Sequence, residues 1–186
     1  MQKVCAIGFE PNPTHRKRLR QLETAYKQCG WKVKIFTDTA VSDHEGITTF
    51  YTDDVEPKNE WGASIVQDNL NLVRSVESVK LLHLSKYVNE IIGSRKAVVM
   101  KMDIEGAEIE VITDLILSGS FQYVDSLHVE FHDWLAGSEK RRNKSETSSV
   151  TLNSLARLSN KFVIQEIDNE KFGTTDFPLP QCKTSI

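Results

Sequence analysis

The chain has 186 residues, 39% of them hydrophobic, with 26 acidic against 23 basic side chains and a formal net charge of −3. That is enough apolar material for one domain with a proper core, and the slightly acidic balance gives no general attraction for nucleic acid. No apolar run approaches the roughly 20 residues of a membrane helix, and no signal-peptide pattern follows Met1. Cys5, Cys29 and Cys182 are odd in number and match no zinc or CxxC spacing. Free thiols in a reducing compartment are therefore expected, and with them a cytoplasmic location.

In chain order, Lys3 to Phe9 reads as a short buried strand, followed by Glu10-Pro-Asn-Pro13. Asn12 suits a helix N-cap and Pro13 a first helical position, so a helix is predicted to about Cys29, with Leu19, Leu22 and Tyr26 inward and Gly30 as its stop. His15, Arg16, Lys17, Arg18 and Arg20 make its first turns basic, either a phosphate patch or a solvated face. Trp31 to Phe36 alternates as a strand. Thr37 to Asp43 reads as a connection, Glu45-Gly46 as a turn, and Ile47 to Tyr51 as another strand. Thr52 to Asn71 is polar and mixed and reads as a long loop. Val79 to Leu84 is a predicted strand, and Ser85 caps a predicted helix to Ile92.

Ala97-Val-Val-Met-Lys-Met-Asp-Ile-Glu-Gly-Ala-Glu108 is the stretch around which the rest is organised. Val98, Val99, Met100 and Met102 suit a strand buried on both faces. Gly106 permits a tight turn; Glu108 and Glu110 then suit the first turn of a helix, where carboxylates meet the positive end of the dipole. Ile109, Ile112, Leu115 and Ile116 give that helix its apolar face, and Gly119 stops it. Asp103 and Glu105 fall just past the strand. There they either cap the helix or line the crevice beyond the strand ends, where α/β sheets bind ligands. Ser126 to Phe131 is a further strand, ending Glu130-Phe-His132. Gly137 to Glu146 is a charged loop, Thr147 to Asn160 a helix and Phe162 to Ile167 a last strand. Strands alternate with helices, which predicts an α/β fold with one mostly parallel sheet carrying Glu10, Asp103 and Glu130 at the same edge.

Four blocks, Phe9-Glu-Pro-Asn-Pro13, Ala40-Val-Ser-Asp43 with Gly46, Lys101-Met-Asp-Ile-Glu-Gly-Ala-Glu108 and Val129-Glu-Phe-His132, resemble the FkbM family of methyltransferases in order and approximate spacing. The resemblance spans Val4 to about Ile167. It implies a Rossmann-like class I methyltransferase sheet, S-adenosylmethionine as cofactor, and O-methylation of a small-molecule, sugar or lipid hydroxyl. It implies cofactor contacts at Glu10, Asn12, Asp38, Ala40 and Asp103, and catalytic roles for Asp103, Glu130 and His132. Residues 1–177 would form the domain and 178–186 a tail.

The residues themselves leave alternatives open. Glu10 either accepts hydrogen bonds from ribose hydroxyls or caps the helix after Pro11; Asp38 either binds an adenine amino group or caps a turn. Asp103 is placed to orient or deprotonate an acceptor hydroxyl, a task Glu130 and His132 share. Asp103, Glu105, Glu130 and His132 have donor types that suit a divalent cation such as Mg²⁺, but no spacing is diagnostic and no metal is assigned. The family's first strand and its Gly-rich loop have no counterpart here. The sheet is therefore expected to be N-terminally incomplete, as in a fragment or a shortened form, and residues 1–186 alone are expected to bind S-adenosylmethionine weakly or not at all, although an extended form would bind it. Two other functions compete: a non-catalytic interaction domain, and a nicotinamide-dependent oxidoreductase, which also uses an acid after its second strand but needs a glycine fingerprint absent from this sequence.

Overall fold

The structure, a computed structural model, describes residues 4–52, 63–65, 74–92, 97–132, 163–166 and 179–180. The readings made for 137–160, and most of the loop expected over 52–71, lie outside the described residues.

The element order is α/β. Strand β1 (Cys5–Glu10) leads through a 3₁₀ turn at Pro13–His15 into helix α1 (Arg16–Gln28) and strand β2 (Lys32–Thr37). Asn12 caps the 3₁₀ turn as its residue type predicts: its Oδ1 accepts from the Thr14 N–H at 2.9 Å. Strand β3 (Thr39–Ser42) follows after a single residue, Asp38, then β4 (Gly46–Thr52), β5 (Arg74–His83) and helix α2 (Leu84–Ile92). Strand β6 (Val99–Met102), helix α3 (Glu108–Leu117), β7 (Ser126–Val129) and β8 (Val163–Glu166) complete it.

β3 falls where only a connection is predicted. Asp38 adopts φ 57°, a left-handed turn that ends β2 and re-aims the chain. The four residues after it are all buried, and they pair in parallel with Lys80–His83 of β5. Four residues are too few for alternation to show as a pattern. β5 also begins earlier than predicted, because its first half pairs antiparallel with β4 through a bulge between Thr49 and Tyr51. Ser85 lies inside α2 rather than before it, and its hydroxyl meets His83 Nε2 at 3.0 Å.

Pairing is mainly parallel but divides into three sheets: β1-β2, β3-β5-β4 and β6-β7-β8. The single sheet predicted from alternation is not what forms among the described residues. β1 ladders only with β2, and β6 only with β7, so no described strand hydrogen-bonds to both. Alternation predicts parallel strands but not which strands become neighbours, because a ladder depends on long-range register.

The main core lies where α2 and α3 cover β6 and β7. Ile112, Leu115, Leu127 and Val129 are at most 1% exposed and pack with Val88 and Met102. The β1-β2 sheet docks onto this body through three rings. Phe9 stacks on Phe36 with centroids 5.2 Å apart, and both meet the edge of Tyr87 on α2. That contact fixes the end of β1, and with it Glu10. Helix α1 is amphipathic but buries none of its residues fully. Cys29 is disulfide-bonded, so the reading of all three cysteines as free thiols is corrected there. Among the described residues no helix is long and apolar enough to cross a membrane.

Candidate active site

Glu10 is the last residue of β1, Asp103 follows β6 and Glu130 follows β7. The Glu130 N–H donates to the Met102 carbonyl at 3.0 Å, which holds the ends of β6 and β7 level. Each of the three carboxylates leaves the carboxyl end of its strand, but Glu10 stands on the β1-β2 sheet and Asp103 and Glu130 on the β6-β7-β8 sheet, so the single shared sheet edge that was expected is corrected. Glu10 is largely withdrawn from water, and its pKa is raised by that desolvation, with the charge of Asp103 adding to it. Glu105 feels the charges of Asp103, Glu108 and Glu130.

The turn after β6 has an unusual backbone. Glu105 has φ 55° and Gly106 φ 102°, two left-handed residues in succession, and Ser64 Oγ donates to the Glu105 carbonyl. A left-handed glutamate is strained, which is a local mark of function more than of packing. The geometry sends the Glu105 carboxylate toward His132. Glu105 Oε2 lies 3.5 Å from His132 Nε2, and Asp103 Oδ1 lies 3.9 Å from the same nitrogen. One ligand atom from each of Asp103, Glu105 and His132 falls within 4.8 Å of the others. Lys101 Nζ holds the other Asp103 oxygen, Oδ2, at 2.9 Å.

Behind the histidine stands Glu108. Its side chain is 2% exposed, and Oε1 meets His132 Nδ1 at 2.9 Å. The same carboxylate accepts from the Gly106 N–H at 3.0 Å and the Ile104 N–H at 3.2 Å. Helix α3 has no side-chain cap at Ala107, so Glu108 satisfies the turn's donors instead. Its sequence position fits an acid at a helix N-terminus; its role as a buried anchor for His132 is not readable from that position.

The electrostatics follow. Desolvation is the largest influence on Glu105 and pushes its pKa up to about 7. Burial by itself lowers the His132 pKa, but the Glu108 hydrogen bond and the charges of Glu105, Glu108 and Asp103 outweigh it and push the value up to about 9. The imidazole of this site is thus cationic at neutral pH, between two carboxylates and a third behind it.

The remaining candidates sit differently. Glu10 Oε1 accepts from the Asn12 N–H at 2.8 Å, so it makes the capping contact. Asn12 is 3% exposed, with its side chain turned to Thr14. Arg16 Nε meets both oxygens of Asp38 at 2.8 Å, which gives this member of the basic helix face a partner. Ala40 is 4% exposed within β3. Of the residues assigned catalytic or cofactor-binding roles, Asp103 and His132 meet in the cluster at 3.9 Å; Glu105, weighed as a crevice acid or cation ligand, joins them, and the anchoring role of Glu108 is the part that sequence reasoning missed.

The fold and this acid-histidine cluster at the strand ends define an α/β protein with an enzyme-like site. A family model described as "Methyltransferase FkbM domain" matches residues 1–136, and the chain belongs to that family of methyltransferases. No curated protein and no solved structure matches it.

Proposed function

We propose that the protein is an S-adenosylmethionine-dependent O-methyltransferase acting on a small-molecule, sugar or lipid hydroxyl, and that its sheets belong to a Rossmann-like class I arrangement. The observation that carries the reading is the convergence of Glu10, Asp103, Glu105 and His132 beyond the ends of β1, β6 and β7 in a chain of this family. A carboxylate-rich crevice suits the cationic S-adenosylmethionine, so the donor set fits. When bound, that cofactor supplies an electrophilic methyl group on a sulfonium sulfur.

The chain's own residues do the rest. Glu10, held in place by the ring contacts of Phe9, accepts hydrogen bonds from the ribose hydroxyls, while Asn12 shapes the turn behind it. Asp38 and Ala40 border the adenine end, where Arg16 already neutralises Asp38. Methyl transfer to oxygen asks the protein mainly for in-line placement and removal of one proton. Asp103, with Glu130 beside it, takes up that proton, and the cationic His132 helps to orient the acceptor oxygen.

Chemical-shift titration by NMR, which reads millimolar affinities, tests the proposal. S-Adenosylmethionine and S-adenosylhomocysteine are expected to bind weakly and to shift resonances around Glu10 and Asp103. Glu10→Gln should reduce that affinity about tenfold, the loss of a charge-assisted hydrogen bond. Binding of NAD instead, or of none of the three, would overturn the assignment.

The same variant has a stability signature. The folded pKa of Glu10 is raised above 4.5, so the stability it contributes is complete below that pH and is lost as pH rises through the folded value. Glutamine keeps an acceptor for the Asn12 N–H but does not titrate. Melting temperatures of Glu10→Gln should therefore decline less than those of the parent across that window.

A further inference from the structure

We propose that Asp103, Glu105 and His132 form a binding site for one first-row divalent cation of the Mn²⁺ type. Its catalytic role, holding the acceptor oxygen, rests on the methyltransferase reading; the site itself does not.

Three observations on this chain carry the proposal. The first is spacing. Donors about 2.1 Å from a shared ion stand about 3.0 Å apart at the octahedral angles that Mn²⁺ favours. Glu105 Oε2 and Asp103 Oδ1 lie 3.5 Å and 3.9 Å from His132 Nε2, and one ligand atom from each of the three falls within 4.8 Å of the others, so the set has to draw in around an ion. The second is the presentation of the histidine. The His132 side chain is 6% exposed, and Glu108, 2% exposed and anchored by two backbone N–H groups, binds Nδ1 at 2.9 Å. A carboxylate on the far ring nitrogen fixes tautomer and orientation in metal-binding histidines, leaving the near nitrogen to face the ion. The third is the balance of charge. Among the described residues Asp103, Glu105, Glu108 and Glu130 act on this spot, against the Lys101 ammonium once His132 is a neutral ligand. A 2+ ion offsets that excess.

The donor set also selects the ion. Mg²⁺ favours all-oxygen shells and keeps most of its water, whereas an imidazole beside two carboxylates suits first-row ions. Three protein ligands leave positions open, as in catalytic sites. An acceptor hydroxyl in an open position binds through its oxygen, which makes its O–H more acidic. The O–H bond breaks and its proton passes to Glu130 or to water; the electron pair left on oxygen forms the O–CH₃ bond as the methyl–sulfur bond breaks and its pair leaves on the sulfur of S-adenosylhomocysteine.

The test is a Mn²⁺ titration of the chelator-treated 186-residue protein, read by electron paramagnetic resonance, with circular dichroism to verify that each variant is folded. Saturable binding of one Mn²⁺ per chain is expected. Glu105→Gln, in a partly exposed turn, should weaken it at least about tenfold, and Glu108→Gln about 10–100-fold without touching the ion. Unsaturable binding, or equal affinity in the parent and Glu105→Gln, overturns the site. S-Adenosylmethionine titrated into the same metal-free protein reads the other proposal separately. Mn²⁺ binding without cofactor binding leaves the metal site standing and removes the methyltransferase role; the reverse result removes the metal site alone.

Discussion

Asp103→Asn will remove most methyl transfer while leaving S-adenosylmethionine affinity within a few-fold of the parent. Asp103 follows β6, at the edge where a sheet delivers side chains to a ligand, and it faces His132 Nε2 at 3.9 Å. In the proposed arrangement Glu10, not Asp103, is the ribose acid, so the cofactor should survive the change. Asparagine keeps the shape of aspartate but cannot take a proton, and a general base contributes about 10²–10⁴-fold. A simple capping role would let asparagine serve nearly as well. The structure weakens that alternative, because the carboxylate that bonds the backbone of this turn is Glu108. Turnover of the variant, measured with and without excess Mn²⁺, separates the remaining roles: a lost base is not rescued, and a lost ligand is rescued in part. Turnover within a few-fold of the parent would end the catalytic assignment.

Glu108→Ala will destabilise the fold by about 3–5 kcal/mol, the scale for removing one partner of a buried ion pair. The deletion strands the His132 imidazolium and the N–H groups of Gly106 and Ile104 at once. An acid acting only on the helix dipole is worth about 0.3–1 kcal/mol, so urea denaturation distinguishes the two roles clearly. Glu108→Gln should fall between them, since it keeps an acceptor for the backbone but loses the charge facing His132.

The elements that were legible in the sequence are those with local signals. β1, α1, β2 and α3 have local signals bounded by Asn12, Gly30 and Gly119, and the structure places them within a few residues of expectation. Two burial readings are corrected: β1, expected to be buried, is exposed over Cys5, Ala6 and Ile7, and β6, expected to be buried on both faces, leaves Val99 71% exposed. β3 was hidden because its register is set by a left-handed Asp38 and by partners 41 residues later in β5. The division into three sheets was hidden for the same reason: pairing is a property of the folded chain. In the site, the identities of Asp103 and His132 were legible from their positions at strand ends. Glu105 was weighed as a cap, a crevice acid or a cation ligand but given no catalytic role, and nothing in its identity announces φ 55°. Glu108 was read as a dipole acid, because its contact with His132 spans 24 residues. The Arg16–Asp38 pair, 22 residues apart, is a further long-range contact that a one-dimensional reading leaves as two unrelated charges.

The left-handed backbone at Glu105 has a consequence for directed evolution. A non-glycine residue there carries about 1–2 kcal/mol of conformational strain. It also withdraws a carboxylate from water, as its raised pKa records. Glycine removes both penalties, and asparagine relieves much of each. A library selected only for thermal tolerance should therefore enrich Glu105→Gly and Glu105→Asn, and the survivors should melt higher than the parent while binding Mn²⁺ poorly. Selection for the metal-bound state should keep glutamate at this position despite its strain, so sequencing the two pools would show what the residue is retained to do.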